Sequence, residues 1–306
     1  MSQYLDNKDL FLEPKTKQYG SHMVMTNVHK QSKTKFINID TKFRDDYSYS
    51  QSVNYNISLP ERINEVKNMK VKGIEIPMTF YNISSSLGNN SFKITDNSYN
   101  KLEQILTIPD GQYTSSEIAT AITATINSAT HITDLSFALT GNHSKFYTNN
   151  STFVIEFDID QYGCMDKFNF NYKLGWLLGF RKPSYVINKN ATAIISEGFI
   201  DLTAPRYLFL AIDEFNKGNQ SSFVSPLATS LINKNIIGRI TLDKEMYPFG
   251  SILPATEYGG YLISDARSYT GKIDIQRLNI QLLSENGSII NLNGSDFSFC
   301  LEVEHE

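Results

Sequence analysis

The chain has 306 residues, a formal net charge of -4 and only 20% charged residues. This weak overall charge gives no general field for binding nucleic acid, and no apolar run approaches the length that crosses a bilayer. Hydrophobic residues make up 41% of the chain, and 19 Phe with 17 Tyr favour strands. We therefore expect a β-rich protein with a sizeable core, no nucleic-acid partner and no transmembrane segment.

Two cysteines, Cys164 and Cys300, are too few for a disulfide framework. The polar N-terminus shows no signal-peptide core. Together these features predict two free thiols in a reducing compartment, not bridged to each other.

Residues 1–35 have no sustained hydrophobic period and carry six lysines and two histidines against Asp6, Asp9 and Glu13. This composition predicts a flexible, mildly basic arm. Two interpretations stay open: a disordered tail, or an arm that becomes ordered on neighbouring subunits.

Residues 36–83 begin the folded part of the chain. An extended apolar segment and a charged, tyrosine-rich loop precede a short strand that ends at Pro60 and a long strand that ends at Pro77. Apolar residues alternate along the long strand, but Gly73 shifts their parity by one, which predicts a β-bulge at Lys72-Gly73. Pro77 should end the pairing because it has no N–H to donate.

A capping box stands out after the turn at Asp110-Gly111. The Thr114 hydroxyl can accept from the Glu117 N–H while the Glu117 carboxylate reaches back. Isoleucines follow at helical spacing, which predicts a helix over 115–127. These isoleucines are Ile118, Ile122 and Ile126.

The middle of the chain returns to strands. Residues 136–158 predict two strands around a polar loop at 141–152, and the compact block LGWLLGFR (174–181) follows. Trp176 in that block is interpreted as a core plug, with an exposed aromatic contact as the alternative. Tyr207–Ile212 is apolar on both faces, which predicts a central strand. A loop at 217–235, a strand at 236–242 and an irregular segment at 246–265 come next.

The last forty residues predict a closing hairpin. Apolar alternation from Ile273 resumes one residue out of phase at Leu278, which indicates a bulge at Gln276-Arg277. The pair Asn286-Gly287 suits a type I′ turn, and a return strand follows with Phe297, Phe299, Leu301 and Val303 on one face. Many strands, few helices and long loops predict an all-β antiparallel sandwich.

Catalytic patterns are missing from the sequence. None of the five histidines has metal-ligand spacing, and there is no Gly-x-Ser-x-Gly elbow or phosphate-binding loop. Asp158 and Asp160 would share a strand face and could help hold a calcium ion or act as paired carboxylates, but we interpret them as a solvated strand end. We expect no enzyme activity, no metal and no cofactor; a glycosidase would need a carboxylate pair that the sequence does not nominate.

Several blocks carry a family resemblance. Residues 36–83 and 267–306, together with 108–123, 174–181 and 205–216, resemble minor capsid and penton-type proteins of the nucleocytoplasmic large DNA viruses, the giant viruses. The resemblance implies a single jelly roll at 36–306, with residues 101–190 as an α+β insertion that holds the one short helix. It suggests these structurally demanding positions: Asp40, Arg44, Pro60, Pro77, Gly111, Trp176, Gly179, Arg206, Arg239, Arg267 and Gly271. At residues 270–272 the chain has Thr-Gly-Lys where the family pattern has Gly-Pro.

The function implied by this resemblance is structural. We expect a virion protein of an icosahedral capsid, made in the host cytoplasm, with the fivefold penton favoured. Its partners would be its own copies in a homopentamer, the major capsid protein and other minor capsid proteins. A minor capsid protein beneath or between capsomers is the alternative. A carbohydrate-binding or adhesin-like sandwich is the alternative from another class, with exposed aromatics stacking on sugars: Tyr47, Tyr49, Tyr258 and Tyr261.

Overall fold

The structure is a computed structural model. It describes residues 17–19, 23–25, 31–97, 101–166, 168–188, 192–215 and 235–306. Strands account for 48% of it and helices for 11%, so the predicted all-β antiparallel sandwich is confirmed. Among the described residues no helix has both the length and the apolar character needed to cross a membrane.

The described residues form seventeen strands, two α-helices and three short 3₁₀ helices. The strands are β1 Lys17–Tyr19, β2 Met23–Met25, β3 Lys33–Asp40, β4 Asn54–Pro77, β5 Ser91–Asp96, β6 Leu102–Thr107, β7 Leu135–Thr140, β8 His143–Thr148, β9 Phe153–Glu156, β10 Ser184–Ile187, β11 Ala193–Ile195, β12 Tyr207–Asp213, β13 Ile236–Thr241, β14 Ile252–Thr256, β15 Leu262–Ile263, β16 Arg267–Ser284 and β17 Ser298–His305. The helices are α1 Ser115–Ser128 and α2 Leu174–Leu177.

The largest sheet has eight antiparallel strands. Seven of them lie in the order β15-β13-β12-β16-β4-β17-β3, and β14 also pairs with β4. The 24-residue strand β4 is therefore the spine of this sheet. Its inward side chains, such as Val66, Met69, Val71 and Ile76, are fully buried in the first hydrophobic core, because the sheet curls around them.

Strand β4 differs from the sequence prediction at Pro60. No strand ends there, because β4 runs through the proline. The ladder with β16 is irregular at that point, where Ser58 pairs with Arg277 but Ile63 pairs with Ile275. A proline fits inside a strand at such a break because no ladder hydrogen bond needs its N–H.

The predicted bulge at Lys72-Gly73 and the strand end at Pro77 are confirmed. Cys300 pairs with Gly73 and Leu301 with Val71, so Lys72 is the extra residue of β4. The ladder is also irregular at the second predicted position, but Gln276 there faces four residues of β4, 59–62, so the extra residues belong to β4 and not to β16. Both irregularities keep the apolar side chains on the core face after the sequence parity changes.

The predicted closing hairpin is wrong in its pairing. Strand β17 pairs with β3 and β4, and β4 lies between β17 and β16. The type I′ turn is wrong as well: Gly287 has φ 89° while Asn286 has no positive φ, and the Ser284 N–H donates to the Ser288 carbonyl at 2.7 Å. This geometry is a three-residue loop with a glycine bulge. The inward face of β17 is as predicted, with Phe299, Leu301 and Val303 buried.

A second hydrophobic core forms from side chains between Ile83 and Ala204. It contains a four-stranded sheet in the order β10-β9-β5-β6, a three-stranded sheet in the order β11-β8-β7, and α1. The predicted insertion at 101–190 falls inside this segment, and the side chains of the core extend beyond it at both ends. Its largest fully buried side chains are Phe92, Phe146, Phe153, Phe157 and Phe180.

Two predicted irregular segments contain strands. The prediction of a polar loop at 141–152 is wrong. This segment contains β8, and the side chains of Ser144, Phe146 and Thr148 on that strand point inward. The irregular segment at 246–265 holds β14 and β15. Pro254 lies within β14, which pairs only with β4 among the described residues, so the proline occupies a sheet edge.

The N-terminal arm prediction falls mostly outside the described residues, as does the predicted loop at 217–235. Strand β3 begins at Lys33, so the last three residues of the predicted arm belong to the large sheet. Strands β1 and β2 form a two-stranded sheet of their own.

Helix α1 confirms the capping box. The Glu117 N–H donates to the Thr114 hydroxyl at 3.4 Å, and the Thr114 N–H donates to Glu117 Oε2 at 2.8 Å. One apolar stripe of the helix enters the second core through Ile118, Ile122 and Ile126.

Replacing Thr114 by alanine should lower the free energy of unfolding by about 1 kcal/mol, because the N-cap hydroxyl is lost. Hydrogen bonds from Thr114 hold the pKa of Glu117 below its ordinary 4.5. The stabilisation from this carboxylate is therefore complete above pH 4.5 and is lost as the pH falls through the lowered folded-state pKa. Urea unfolding at pH 7 and at pH 3 measures both effects.

The matched control is Thr120→Ala, the same substitution on an exposed position of α1. It should be neutral or slightly stabilising, because alanine has the higher helix propensity. An equal loss for both variants at pH 7 would contradict a capping role.

Candidate interaction surfaces

The two blocks with the strongest family resemblance lie side by side in the sheet. Residues 36–83 supply β3 and β4, and residues 267–306 supply β16 and β17. Their order in the sheet is β16-β4-β17-β3, so the two ends of the sequence interleave. Residues that these blocks nominate therefore belong to one structural unit.

Asp40 and Arg44 fix the corner after β3. The Asp40 side chain accepts from the Lys42 N–H at 2.9 Å and caps a short 3₁₀ turn. Arg44 pairs with Asp296 at 2.6 Å and donates to the Thr41 carbonyl at 2.7 Å. Its guanidinium also lies 4.1 Å from the centre of the Tyr47 ring. These contacts fasten the loop to the segment before β17.

Arg267 and Arg239 make their contacts at separate positions in the fold. Arg267 forms a buried ion pair with Glu214 at 2.6 Å. The Arg239 guanidinium lies 4.2 Å from the centre of the Tyr207 ring. Neither arginine joins the Arg44 corner, so the nominated arginines do not form one site.

The nominated glycines differ in what surrounds them. Gly179 has φ 93°, and a Cβ there would lie 2.2 Å from the Gly198 carbonyl oxygen. Gly111 pairs with Ile83 in an isolated bridge, and a Cβ there would meet the Tyr113 ring at 2.9 Å. Gly271 faces open space. Only the first two are constrained by their surroundings.

Trp176 does not occupy the core position that the sequence suggested. It is half-buried and lines a groove of about 270 Å³ at the junction of the two cores. The Arg181 guanidinium covers its ring at 4.2 Å, and Phe170 meets it edge-on at 5.8 Å. The alternative interpretation, an aromatic contact at the surface, fits this position.

The groove brings together four separate segments of the chain. Arg206 pairs with Asp201 at 2.6 Å, and the Arg206 N–H donates to the Glu285 carboxylate at 3.1 Å. Burial works against ionisation of Asp201, but hydrogen bonds from Thr203 and Arg206 lower its pKa overall. Of these residues the sequence nominated Trp176 and Arg206. The others carry no local signal, since they meet only through the fold; they include Tyr172, Arg181, Asp201, Tyr207, Glu285 and Asn286.

Exposed apolar side chains gather beside the end of β4. We name Met246, Phe249 and Ile252 the 246–252 patch; their exposed fractions are 66%, 51% and 62%. Phe249 stacks on Tyr81 with ring centres 5.9 Å apart, and Ile252 pairs with Pro77. Three large apolar side chains exposed within seven residues make this segment a candidate for contact with another protein.

Within the described ranges, no three His, Cys, Asp or Glu side chains are placed to hold a metal ion. Asp158 is buried, and burial raises its pKa, so the predicted solvated strand end is wrong for this residue. Asp160 accepts from the Tyr162 and Cys164 N–H groups at 2.8 Å and closes a turn. Cys164 and Cys300 are both unbridged.

No protein-family model matches this chain, and no curated protein sequence matches it. Among solved structures, the crystal structure of the selenomethionine-labelled mavirus penton protein is similar at 11% identity. The alignment covers 90% of this chain and 100% of that one, with a TM-score of 0.39. A TM-score of this size establishes neither a shared family nor a shared function.

Proposed function

We propose that the chain is a structural subunit of an icosahedral virus capsid, with the fivefold penton as its favoured place. The observation that carries this proposal is the sequence resemblance at both ends of the chain. Its support from the fold is that the resembling blocks supply four neighbouring strands of one sheet. The mechanism is assembly through exposed surfaces, without catalysis, metal or cofactor.

A ring of identical subunits needs two different surfaces that fit each other, because each contact is heterologous. The 246–252 patch offers one such surface. Its side chains are more than half exposed in the isolated subunit, so burying them against a neighbour would remove apolar area from water. The partner surface lies on the next copy of the chain in this proposal.

Native mass spectrometry of the full chain tests the stoichiometry, with five copies expected. The double variant Met246→Glu/Ile252→Glu should remain folded but stay monomeric, because it places charge in the contact. Val186→Glu is the control: the residue is 53% exposed on β10 of the other core, and this variant should still form rings.

Other outcomes would each change the proposal. A wild-type chain that remains monomeric at all concentrations would contradict the penton role. If such a monomer is nevertheless found in purified particles, a minor capsid role replaces the penton role in the proposal. Absence from particles would overturn the capsid proposal as a whole.

Removing residues 1–30 should leave the fold intact and reduce incorporation into particles. The cut stops before β3, whose pairing with β17 starts at Lys33. The lysines of this segment suit acidic surfaces of neighbouring subunits, so its contribution should weaken as salt rises. Thermal unfolding and an incorporation assay at two salt concentrations measure the two effects.

A longer truncation of residues 1–40 serves as the control, because it removes β3 and should lower the melting temperature. A large drop for the shorter truncation would mean that the arm belongs to the fold. Normal incorporation without it would mean that the arm is dispensable for assembly.

A further inference from the structure

The groove between the two cores has the chemistry of a ligand site. Its walls come from the 171–181 segment of the second core, the return at 201–207, the turn at 284–286 and residues 87–89. At about 270 Å³ it is near the small end of ligand pockets, which begin at about 300 Å³. It therefore suits a compact ligand.

The formal charges of the side chains that line the groove add up to zero. Arg181 and Arg206 are matched by Asp201 and Glu285, and their formal charges cancel. All four already have hydrogen-bond partners: Arg206 pairs with Asp201 at 2.6 Å, Glu285 accepts from the Arg206 N–H at 3.1 Å, and Arg181 donates to the Trp176 carbonyl at 3.0 Å. Arg206 and Asp201 neutralise each other, and Arg181 and Glu285 carry opposite formal charges, so the lining offers a charged ligand no net attraction.

Aromatic rings and planar polar groups line the same space. Trp176, Tyr172 and Tyr207 line the groove with apolar rings that have polar edges. Arg181 covers one face of Trp176, and Arg239 covers one face of Tyr207. Asn171 and Asn286 add amide groups, each with two donors and an acceptor. The Arg181 guanidinium lies over the Trp176 ring, 4.2 Å from its centre, and this contact orders both side chains before any ligand arrives.

We propose that this groove binds a neutral saccharide. A sugar ring has an apolar C–H face that can lie on an aromatic ring, and neighbouring hydroxyls that pair with carboxylate, guanidinium and amide groups. The zero net charge of the lining gives a charged ligand no net attraction, and the fixed polar groups of the lining suit hydroxyls better than an aliphatic ligand. The site is independent of ring assembly, so a monomer should bind as well as a ring.

Trp176 is the only tryptophan in the chain, so intrinsic fluorescence reports directly on the groove. The experiment titrates the full chain with glucose, galactose, mannose, fucose, N-acetylglucosamine and lactose, and follows Trp176 emission. A glycan array of neutral and sialylated oligosaccharides extends the panel. We expect saturable emission changes with at least one neutral sugar and no preference for sialylated glycans.

Variants locate the binding. Arg206→Met and Glu285→Gln should weaken binding about tenfold or more, equivalent to about 1.4 kcal/mol, with melting temperatures within a few degrees of wild type. The control Tyr258→Ser changes a 95% exposed aromatic outside the groove lining and should bind normally. No binding across the panel, a preference for acidic glycans, or loss of binding only in Tyr258→Ser would each overturn the proposal.

Discussion

Replacing Gly179 by alanine is expected to destabilise the protein by about 3 kcal/mol or more. An alanine Cβ at this position would lie 2.2 Å from the Gly198 carbonyl oxygen, and φ is 93°. Backbone conformations with positive φ cost a non-glycine residue about 1–2 kcal/mol, and forcing atoms into a packed site adds about 1–3 kcal/mol. Because the opposing atom is backbone, no side chain can rotate to relieve the clash.

The conformation of Gly179 follows from the end of helix α2. The Phe180 N–H donates to the Gly175 carbonyl at 2.9 Å, and the Gly179 N–H donates to the Trp176 carbonyl at 3.0 Å. This pair of bonds is a Schellman motif, which places a left-handed residue directly after the helix. The same residue then accepts from the Gly198 N–H at 2.8 Å, so the turn joins the LGWLLGFR block to the segment after β11.

Two further alanine variants separate the cost of the positive φ from the cost of the steric clash. Gly141 has φ 62° and nothing within 4 Å of the added Cβ, so Gly141→Ala should show the conformational cost alone, about 1–2 kcal/mol. Gly271 has open space and no positive φ, so Gly271→Ala should change stability by less than about 0.5 kcal/mol. Urea unfolding ranks the three variants; a Gly179 loss no larger than that of Gly141 would contradict the steric argument.

Features that depend on near neighbours in sequence were predictable. The bulge at Lys72 follows from the parity of one strand, and the cap at Thr114 from residues three apart. The choice of strand partners was not predictable from near neighbours: β17 pairs with β4 and β3 rather than with β16. That choice depends on β4, which lies more than two hundred residues earlier in the sequence.

The turn at Asn286-Gly287 shows why a strong local signal can fail. The pair favours a type I′ turn in isolation. Here the Asn286 side chain accepts from the Ser288 N–H at 3.1 Å and from the Ser284 and Ser288 hydroxyls. These serine contacts hold a different loop, with only Gly287 at positive φ. Side-chain hydrogen bonds therefore outweigh the preference of the dipeptide.

The groove could not be predicted from the sequence for the same reason. Trp176 and Arg181 lie on the second core, whereas Tyr207 and Glu285 lie on the first sheet and its turn. Asp201 reaches the groove on the segment that connects the two cores. None of these positions carries a spacing pattern that relates it to the others. Their meeting is a consequence of how the two cores pack together.

Replacing Arg267 by methionine should lower the free energy of unfolding by about 3–5 kcal/mol, because it leaves a buried carboxylate without its ion partner. The Arg267 and Glu214 side chains are only 4% and 3% exposed, with 2.6 Å between Nη1 and Oε2. Arg267 also donates to the Ile212 carbonyl at 2.8 Å and to the Asn235 carbonyl at 2.7 Å. One guanidinium thus holds the end of β12 and the start of β13.

Arg206→Met is the matched control for the loss of stability expected in Arg267→Met. Its pair with Asp201 has the same 2.6 Å distance, but the two side chains are 67% and 42% exposed. Exposed ion pairs contribute at most about 1 kcal/mol, because water and salt screen them. If Arg267→Met costs no more than Arg206→Met in urea unfolding, burial does not strengthen the internal pair.

The double variant Arg267→Met/Glu214→Leu tests what the ion pair itself contributes. Apolar replacement of both partners removes the stranded charge, so stability should recover relative to Arg267→Met alone. Recovery should remain incomplete, because the carbonyls of Ile212 and Asn235 each lose a hydrogen bond from the charged guanidinium, and such a bond contributes about 1.5–3 kcal/mol. The Asn235 carbonyl keeps the Ile212 N–H as a donor at 2.9 Å. A double-mutant cycle in urea measures the coupling. Full recovery would mean that the two backbone bonds are unimportant and that the arginine serves only to neutralise Glu214.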